Sequence, residues 1–223
     1  MRRNRAIFIV VFVSLLIAGV VTFFVMLSDG VTAIDQYIIN MVDTIDSPAF
    51  HSFIMFITKL GSHVFLIPFT LVVMFFLYWL YRDWLTPLIL AVGTLTGLIL
   101  NRVIKVLVAR ERPQILAEAD AEGYSFPSGH SMIPIICYGL LMCFLILHPK
   151  TKDWKNIYMI FFPILIVTVA FSRVMLNVHY FTDIVAGLML GLNLVILFFA
   201  IYRYLRRDKI SEWSMDRERK ETP

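Results

Sequence analysis

The chain has 223 residues, of which 59% are hydrophobic and 16% are charged, and its formal net charge is +4 at pH 7. Such an evenly apolar composition is typical of an integral membrane protein and excludes an ordinary soluble domain. The positive charge does not indicate nucleic-acid binding, because most basic residues lie at the ends of apolar runs and form no basic groove with interleaved aromatic residues.

Six apolar runs are long enough to cross a bilayer, whose hydrocarbon core needs about 20 apolar residues per helix. We predict spans at residues 6–27, 64–81, 85–104, 131–148, 157–175 and 184–202. The first run follows three arginines and resembles a secretory signal, but it is long for a signal core, and we therefore predict a span. The predicted fold is all-α, with six transmembrane helices in one bundle that forms a single domain of residues 1–223.

The distribution of Lys and Arg predicts the orientation of this bundle. Both tails and the loop of residues 148–156 lie on one side of the spans and hold most of the 20 basic residues. The positive-inside rule places that side in the cytoplasm, so both termini are predicted to be cytoplasmic, with residues 203–223 as a tail. Residues 29–63 then lie outside, where their helical periodicity predicts one or two short amphipathic helices.

Basic residues also cluster at the outer ends of the spans, where the same rule predicts few of them. The stretch KVLVARERP begins at Lys105 and holds Arg112 seven residues later, on the same helical face if the third span continues outward. The stretch SRVMLNVHYFTD holds Arg173, His179 and Asp183. A lone basic residue at a span end often only extends to lipid phosphates, so none of these residues indicates a site by itself.

The predicted topology brings three outer segments to one membrane face. Together they hold three cations, two histidines, a carboxylate and a PSG turn, namely Lys105, Arg112, Ser128, Gly129, His130, Arg173, His179 and Asp183. Guanidinium groups match the paired oxygens of a phosphate, and a lysine adds a point charge. The turn can present backbone N–H groups at the start of the fourth span, with Ser128 as a helix cap or a phosphate donor. The set therefore predicts a phosphate-binding site with an acid and a base.

The two histidines have different predicted roles. Asp183 follows His179 by four residues, which is one turn if the sixth span begins near His179, so its carboxylate can hold one ring nitrogen and leave the other as a nucleophile. His130 lies on the phosphate-binding turn without a carboxylate in its own segment, which suits a proton donor to the leaving oxygen. A neutral His179 and a protonated His130 predict a bell-shaped pH profile near neutrality. No Asp or Glu pair offers metal ligands, so neither a metal nor a cofactor is expected.

The stretches KVLVARERP, YSFPSGHS and SRVMLNVHYFTD resemble the signature of the type 2 phosphatidic acid phosphatase superfamily, which is K-x6-R-P, P-S-G-H and S-R-x5-H-x3-D. The resemblance implies a membrane hydrolase of lipid metabolism that cleaves phosphate monoesters or diphosphates without metal, through a phosphohistidine. It implies His179 as the nucleophile, Asp183 as its orienting carboxylate and His130 as the general acid. It implies that the substrate phosphate is bound by Lys105, Arg112, Ser128, Gly129 and Arg173.

The short loops resemble the bacterial membrane branch of that superfamily, which implies phosphatidylglycerophosphate or undecaprenyl diphosphate as the substrate. The residues themselves do not separate these lipids from phosphatidate, because head-group selection depends on how residues 114–125 fold over the site. A soluble sugar phosphate is a poorer match, since Glu118, Asp120 and Glu122 in that segment repel dispersed anions. A non-catalytic protein that binds or transports lipid phosphate would need the cations but neither histidine.

Overall fold

The computed structural model describes residues 2–27, 31–45, 47–113, 116, 119 and 121–207, with side chains from residue 9 onward. Within these ranges the α-helices are α1 (Arg2–Leu27), α2 (Ala33–Val42), α3 (Pro48–Lys59), α4 (His63–Tyr81), α5 (Leu85–Val108), α6 (Gly129–Leu147), α7 (Lys155–Met175) and α8 (Phe181–Leu205). Most of the predicted tail, residues 208–223, lies outside the described residues, and α8 extends past the predicted end of the sixth span.

Six of the helices in the described part of the chain are long and apolar enough to cross a membrane. They occupy Ile9–Leu27, His63–Tyr81, Leu85–Val108, Gly129–Leu147, Lys152–Met175 and Phe181–Leu205. The predicted all-α fold and the six spans are therefore confirmed. The third span differs at its end, because α5 continues to Val108 where the hydropathy predicted an end at residue 104.

The central helix of the bundle is α6. It packs against α5, α7 and α8 and is the most buried of the six spans, whereas α1 packs on α8 and is the least buried. Gly187 of α8 permits a close approach to α6, because a Cβ at this position would lie 2.7 Å from the carbonyl oxygen of Ser128 and 3.0 Å from the Cβ of Ser131. The start of α8 is therefore held against the turn from which α6 begins.

The short helices predicted between residues 29 and 63 are present as α2 and α3. The first packs on α7 and α8, and the second packs on α7. The hydroxyl of Tyr138 in α6 donates to the carbonyl oxygen of Leu60 at 2.7 Å and ties the turn after α3 to the bundle. Both helices cover the end of the bundle at which α5 and α7 end and α4, α6 and α8 begin, which we name the motif end.

Candidate active site

Lys105 and Arg112 do not share a helical face, because α5 ends at Val108. Ala109 adopts a left-handed conformation with φ of 49°, so Arg112 lies in the loop that follows the helix. The prediction of a shared face was therefore wrong. The loop nevertheless folds back toward Lys105, whose Nζ donates to the carbonyl oxygens of residues 124 and 125. A backbone turn, and not helical periodicity, brings the two cations to the same cavity.

Arg112 lies against the ring of His179. Its Nη1 is 2.8 Å from His179 Nε2 and 2.8 Å from the carbonyl oxygen of Val178. Its other N–H groups donate to the carbonyl oxygens of Glu122 and Gly123 at 3.1 and 3.0 Å, which fixes the plane of the guanidinium. A guanidinium can only donate, so Nε2 is the acceptor and the proton of a neutral ring is on Nδ1.

The other ring nitrogen, Nδ1 of His179, faces Asp183 and Ser125. It lies 3.2 Å from Asp183 Oδ2 and 3.2 Å from Ser125 Oγ, and the Ser125 hydroxyl donates to the same carboxylate oxygen. Asp183 Oδ2 also accepts the N–H of Tyr180 at 3.0 Å. Because α8 begins at Phe181, after His179, Asp183 reaches the ring from the first turn of α8 and not along a continuous helix. This arrangement leaves Nε2 directed away from the carboxylate.

Burial and nearby cations keep His179 neutral. The ring is buried, and burial lowers its pKa well below the usual value of 6.5. The positive charges of Arg112, Lys105 and Arg173 lower the pKa further, because each repels a proton on the ring. At neutral pH the Nε2 lone pair is therefore available as a nucleophile.

A buried ion-pair network lies behind Asp183. Arg110 bridges two carboxylates, since its Nη1 donates to Asp183 Oδ1 and its Nη2 donates to Asp35 Oδ2 at 2.6 Å. Asp35 Oδ1 also accepts the backbone N–H of Thr182 at 3.0 Å. The guanidinium carbon of Arg110 lies 3.9 Å from the centre of the Tyr180 ring. The short helix α2 therefore contacts the His179–Asp183 pair through a single arginine.

Sequence reasoning did not include Arg110, Asp35 or Ser125 in the site. Arg110 was visible only as one more basic residue in KVLVARERP. Asp35 showed only the helix-start pattern of Thr32 followed by an acidic residue three positions later, and the two do form a capping box. Neither pattern indicates a contact with residue 183.

The PSG turn is fixed by neighbours on two helices. Ser128 N donates to the carbonyl oxygen of Asp183 at 3.1 Å, and Asn101 of α5 donates to the carbonyl oxygen of Pro127 at 3.1 Å. The Ser128 hydroxyl is buried, makes no cap bond to α6 and has no hydrogen-bond partner among the described residues. Of the two roles predicted for Ser128, the helix cap is therefore not formed. Gly129 is the first residue of α6.

His130 and Arg173 complete the predicted set. His130 is buried in the first turn of α6, and its Nε2 has no hydrogen-bond partner within the described ranges. Gly61 lies so close that a Cβ there would be 2.9 Å from His130 Cδ2. Arg173 is fully buried near the end of α7, where its Nη1 donates to Thr58 Oγ1 at 2.8 Å. All eight predicted residues thus lie at the motif end.

A cavity of about 790 Å³ extends from this cluster between α4, α5 and α6. Lys105, Arg112, His130 and His179 line its polar end. The remainder is lined mainly by apolar side chains, including Leu66, Ile67, Leu71, Met74, Leu95 and Leu98. The division suits an amphiphile with an anionic head and an apolar tail. In the described part of the chain, no three His, Cys, Asp or Glu side chains lie close enough to hold a metal ion.

Comparison with known proteins identifies the family of this chain. The sequence profile of the PAP2 superfamily matches residues 84–207. The chain is 32% identical to phosphatidylglycerophosphatase B of Bacillus subtilis over 171 residues, which are 76% of this chain and 84% of the relative. It is 30% identical to the undecaprenyl-diphosphatase of Sulfolobus acidocaldarius over 143 residues, which are 61% of this chain and 63% of the relative.

The fold is similar to the crystal structure of a transmembrane PAP2-type phosphatidylglycerolphosphate phosphatase from Bacillus subtilis. The TM-score is 0.77 at 28% sequence identity, and the match covers 93% of this chain and all of that chain. The family resemblance carried by the three sequence stretches is therefore confirmed. The chain belongs to the PAP2 superfamily, as a membrane phosphatase.

Proposed function

We propose that this enzyme is a metal-independent lipid phosphatase that acts on phosphatidylglycerophosphate, undecaprenyl diphosphate or both, through a phosphohistidine intermediate. One observation carries the proposal. The neutral Nε2 of His179 points at the Arg112 guanidinium, 2.8 Å away, at the polar end of a cavity whose other walls are mainly apolar. A phosphate that binds Arg112 lies next to this nitrogen, while a lipid tail occupies the apolar part.

The first step transfers the phosphoryl group to the enzyme. Phosphate oxygens replace His179 Nε2 as the acceptor of the Arg112 N–H, which exposes the nitrogen for attack. Nε2 forms a bond to phosphorus, the bond from phosphorus to the lipid oxygen breaks, and His130 donates a proton to the leaving oxygen. Asp183 accepts a hydrogen bond from Nδ1–H and stabilises the positive charge that develops on the ring.

The second step releases phosphate. His130, now neutral, accepts a proton from a water molecule, whose oxygen attacks phosphorus as the bond to Nε2 breaks. Arg112, Arg173, Lys105 and the backbone N–H of Gly129 stabilise the charge on the phosphoryl oxygens in both steps. The atoms balance, since one water is consumed and the lipid and inorganic phosphate are released. No step assigns a role to a metal ion.

The proposed orientation places the motif end outside the cytoplasm and both termini inside it. Its support is the excess of Lys and Arg at the opposite end of the bundle and in the tails. Lys59 at the end of α3 and Lys150 after α6 are exposed at opposite ends, so they provide a direct check. An impermeant thiol reagent on intact cells should label Lys59→Cys but not Lys150→Cys, and the reverse result would contradict the orientation.

The alternative function is binding or transport of a lipid phosphate without hydrolysis. A carrier needs the cations, but it needs neither a neutral His179 with an orienting carboxylate nor His130 in the same cavity. Phosphate release by the purified protein in detergent, from both proposed lipids and in the presence of a chelator, distinguishes the two functions. We expect release that is blocked by vanadate and lost in His179→Ala. Binding without release would support the carrier, and undiminished release by His179→Ala would exclude the phosphohistidine.

A further inference from the structure

Arg102 is a cation of the cavity that the three sequence stretches do not use. It lies on α5 three residues before Lys105, which places it about 4.5 Å further from the motif end along the helix axis. Its side chain is exposed and lines the same cavity as Lys105 and Arg112. It has no hydrogen-bond or ion-pair partner among the described residues.

The residues of α5 that line the cavity change from mainly apolar to basic toward the motif end. From its middle toward the motif end, the lining residues are Ala91, Thr94, Leu95, Leu98, Arg102 and Lys105. A lipid whose terminal phosphate lies at His179 and whose tail lies against Leu95 and Leu98 must pass Arg102 between the two. The group next to Arg102 is therefore the part of the lipid that joins the hydrolysed phosphate to the tail.

The charges of the cavity favour an anion at that point. The terminal phosphate already faces Lys105 and Arg112, so Arg102 is an additional positive charge. An arginine within a membrane span is unfavourable unless it pairs with an anion or reaches water. Glu122 is an acidic residue of the cavity wall. It belongs to the loop that follows α5 at the motif end, beyond the last residue of the helix. An anionic group of the substrate would satisfy Arg102 from within the cavity.

We propose that Arg102 forms a second phosphate subsite, which binds the phosphate that stays on the lipid after hydrolysis. This inference rests on the proposed function and specifies its substrate class. The preferred substrates are lipids with two phosphates, in which the distal one is removed. The retained phosphate is either the proximal phosphate of a prenyl diphosphate or the phosphodiester of a glycerophospholipid that carries a terminal phosphate. Phosphatidate has no second phosphate and does not use the subsite.

Two matched pairs of substrates test the subsite. Farnesyl diphosphate and farnesyl phosphate share one tail, and phosphatidylglycerophosphate and phosphatidate share another. For purified Arg102→Gln, kcat/KM should fall roughly 10- to 100-fold for the two-phosphate member of a pair, mainly through KM, as expected for a lost charge-assisted hydrogen bond. The one-phosphate member should change by no more than about 2-fold, the usual range for a surface change. Its retained hydrolysis also shows that the variant is folded.

Two further variants sharpen the result. Arg102→Lys should recover part of the loss, because it keeps the charge but not the two-pronged geometry. Lys59→Ala removes an exposed positive charge at the motif end outside the cavity and should change neither pair. A response in only one pair identifies which kind of second phosphate the subsite binds.

Two outcomes would overturn the subsite. An equal loss for both members of each pair would mean that Arg102 acts on the terminal phosphate or on the fold. No loss in either pair would mean that Arg102 only extends to bulk lipid phosphates. The proposed function fails in a different way, since wild-type protein would then release phosphate from none of the four lipids.

Discussion

The two ring nitrogens of His179 lie in opposite environments. Nδ1 lies between Asp183 and Ser125, whereas Nε2 contacts the guanidinium of Arg112. This difference fixes the tautomer and aims one lone pair into the cavity. Arg112 has two roles. It covers Nε2 in the present structure, and it binds phosphate in the proposed reaction. In the proposed reaction, Arg112 therefore covers Nε2 until a phosphate oxygen replaces Nε2 as the acceptor of its N–H.

The lowered pKa of His179 predicts the acidic side of the pH profile. Protonation of Nε2 removes the proposed nucleophile, and this occurs only as the pH falls through a pKa that lies well below 6.5. After correction for the second ionisation of the substrate phosphate, at about pH 6, the acidic limb of kcat/KM should lie below pH 6.5. A corrected limb at or above pH 6.5 would contradict the neutral ring. The acidic limb of the bell-shaped profile predicted from the sequence should therefore lie at a lower pH than an unperturbed histidine would give.

At the scale of elements, α2 does more than cover the motif end of the bundle. Its Asp35 is fully buried, pairs with Arg110 and accepts the N–H of Thr182 at the start of α8. The negative charge of Asp35 offsets the positive charge of Arg110. Without Asp35, Arg110 would neutralise more of the negative charge of Asp183 and make that carboxylate a weaker hydrogen-bond acceptor. A weaker acceptor at Asp183 would stabilise less of the positive charge that develops on His179 in the proposed attack.

Asp35→Asn tests this long connection. The amide keeps an oxygen that can accept the Thr182 N–H, but it removes the charge that offsets Arg110. We expect kcat to fall roughly 10- to 100-fold, as for a lost hydrogen bond to a charged group, with little change in KM. Because an unbalanced Arg110 repels a proton on His179, the acidic limb of kcat/KM should also move to lower pH.

Asp43 provides the matched control for that variant. It lies at the end of the same helix, is exposed, and accepts a hydrogen bond from Asn177 at 2.9 Å. Asp43→Asn should leave both kcat and the pH profile unchanged. A pH profile of Asp35→Asn that coincides with that of the wild type would indicate that Asp35 supports the fold alone.

At the scale of the whole molecule, the sequence predicted what depends on periodicity and composition. The long apolar runs predicted the six spans. The three stretches that hold the site residues lie at span ends on the same side of the predicted bundle, so the sequence also predicted that these residues meet at one end. The end of α5 was not predictable, because Ala109 adopts the left-handed conformation that usually marks a glycine. The Asp35–Arg110 contact joins residues 75 positions apart and depends on tertiary packing that no local pattern records.

The identity of the nucleophile is the central claim, and it can be measured directly. Protein is mixed with lipid labelled in its terminal phosphate, quenched in alkali to preserve phosphohistidine, and digested to locate the label by mass spectrometry. His130→Gln is included with a substrate whose leaving group needs no proton, so that the intermediate forms normally but its hydrolysis is slow. We predict that label accumulates on His179 and is absent from His179→Asn. Label on another residue, or full turnover by His179→Asn, would contradict the mechanism.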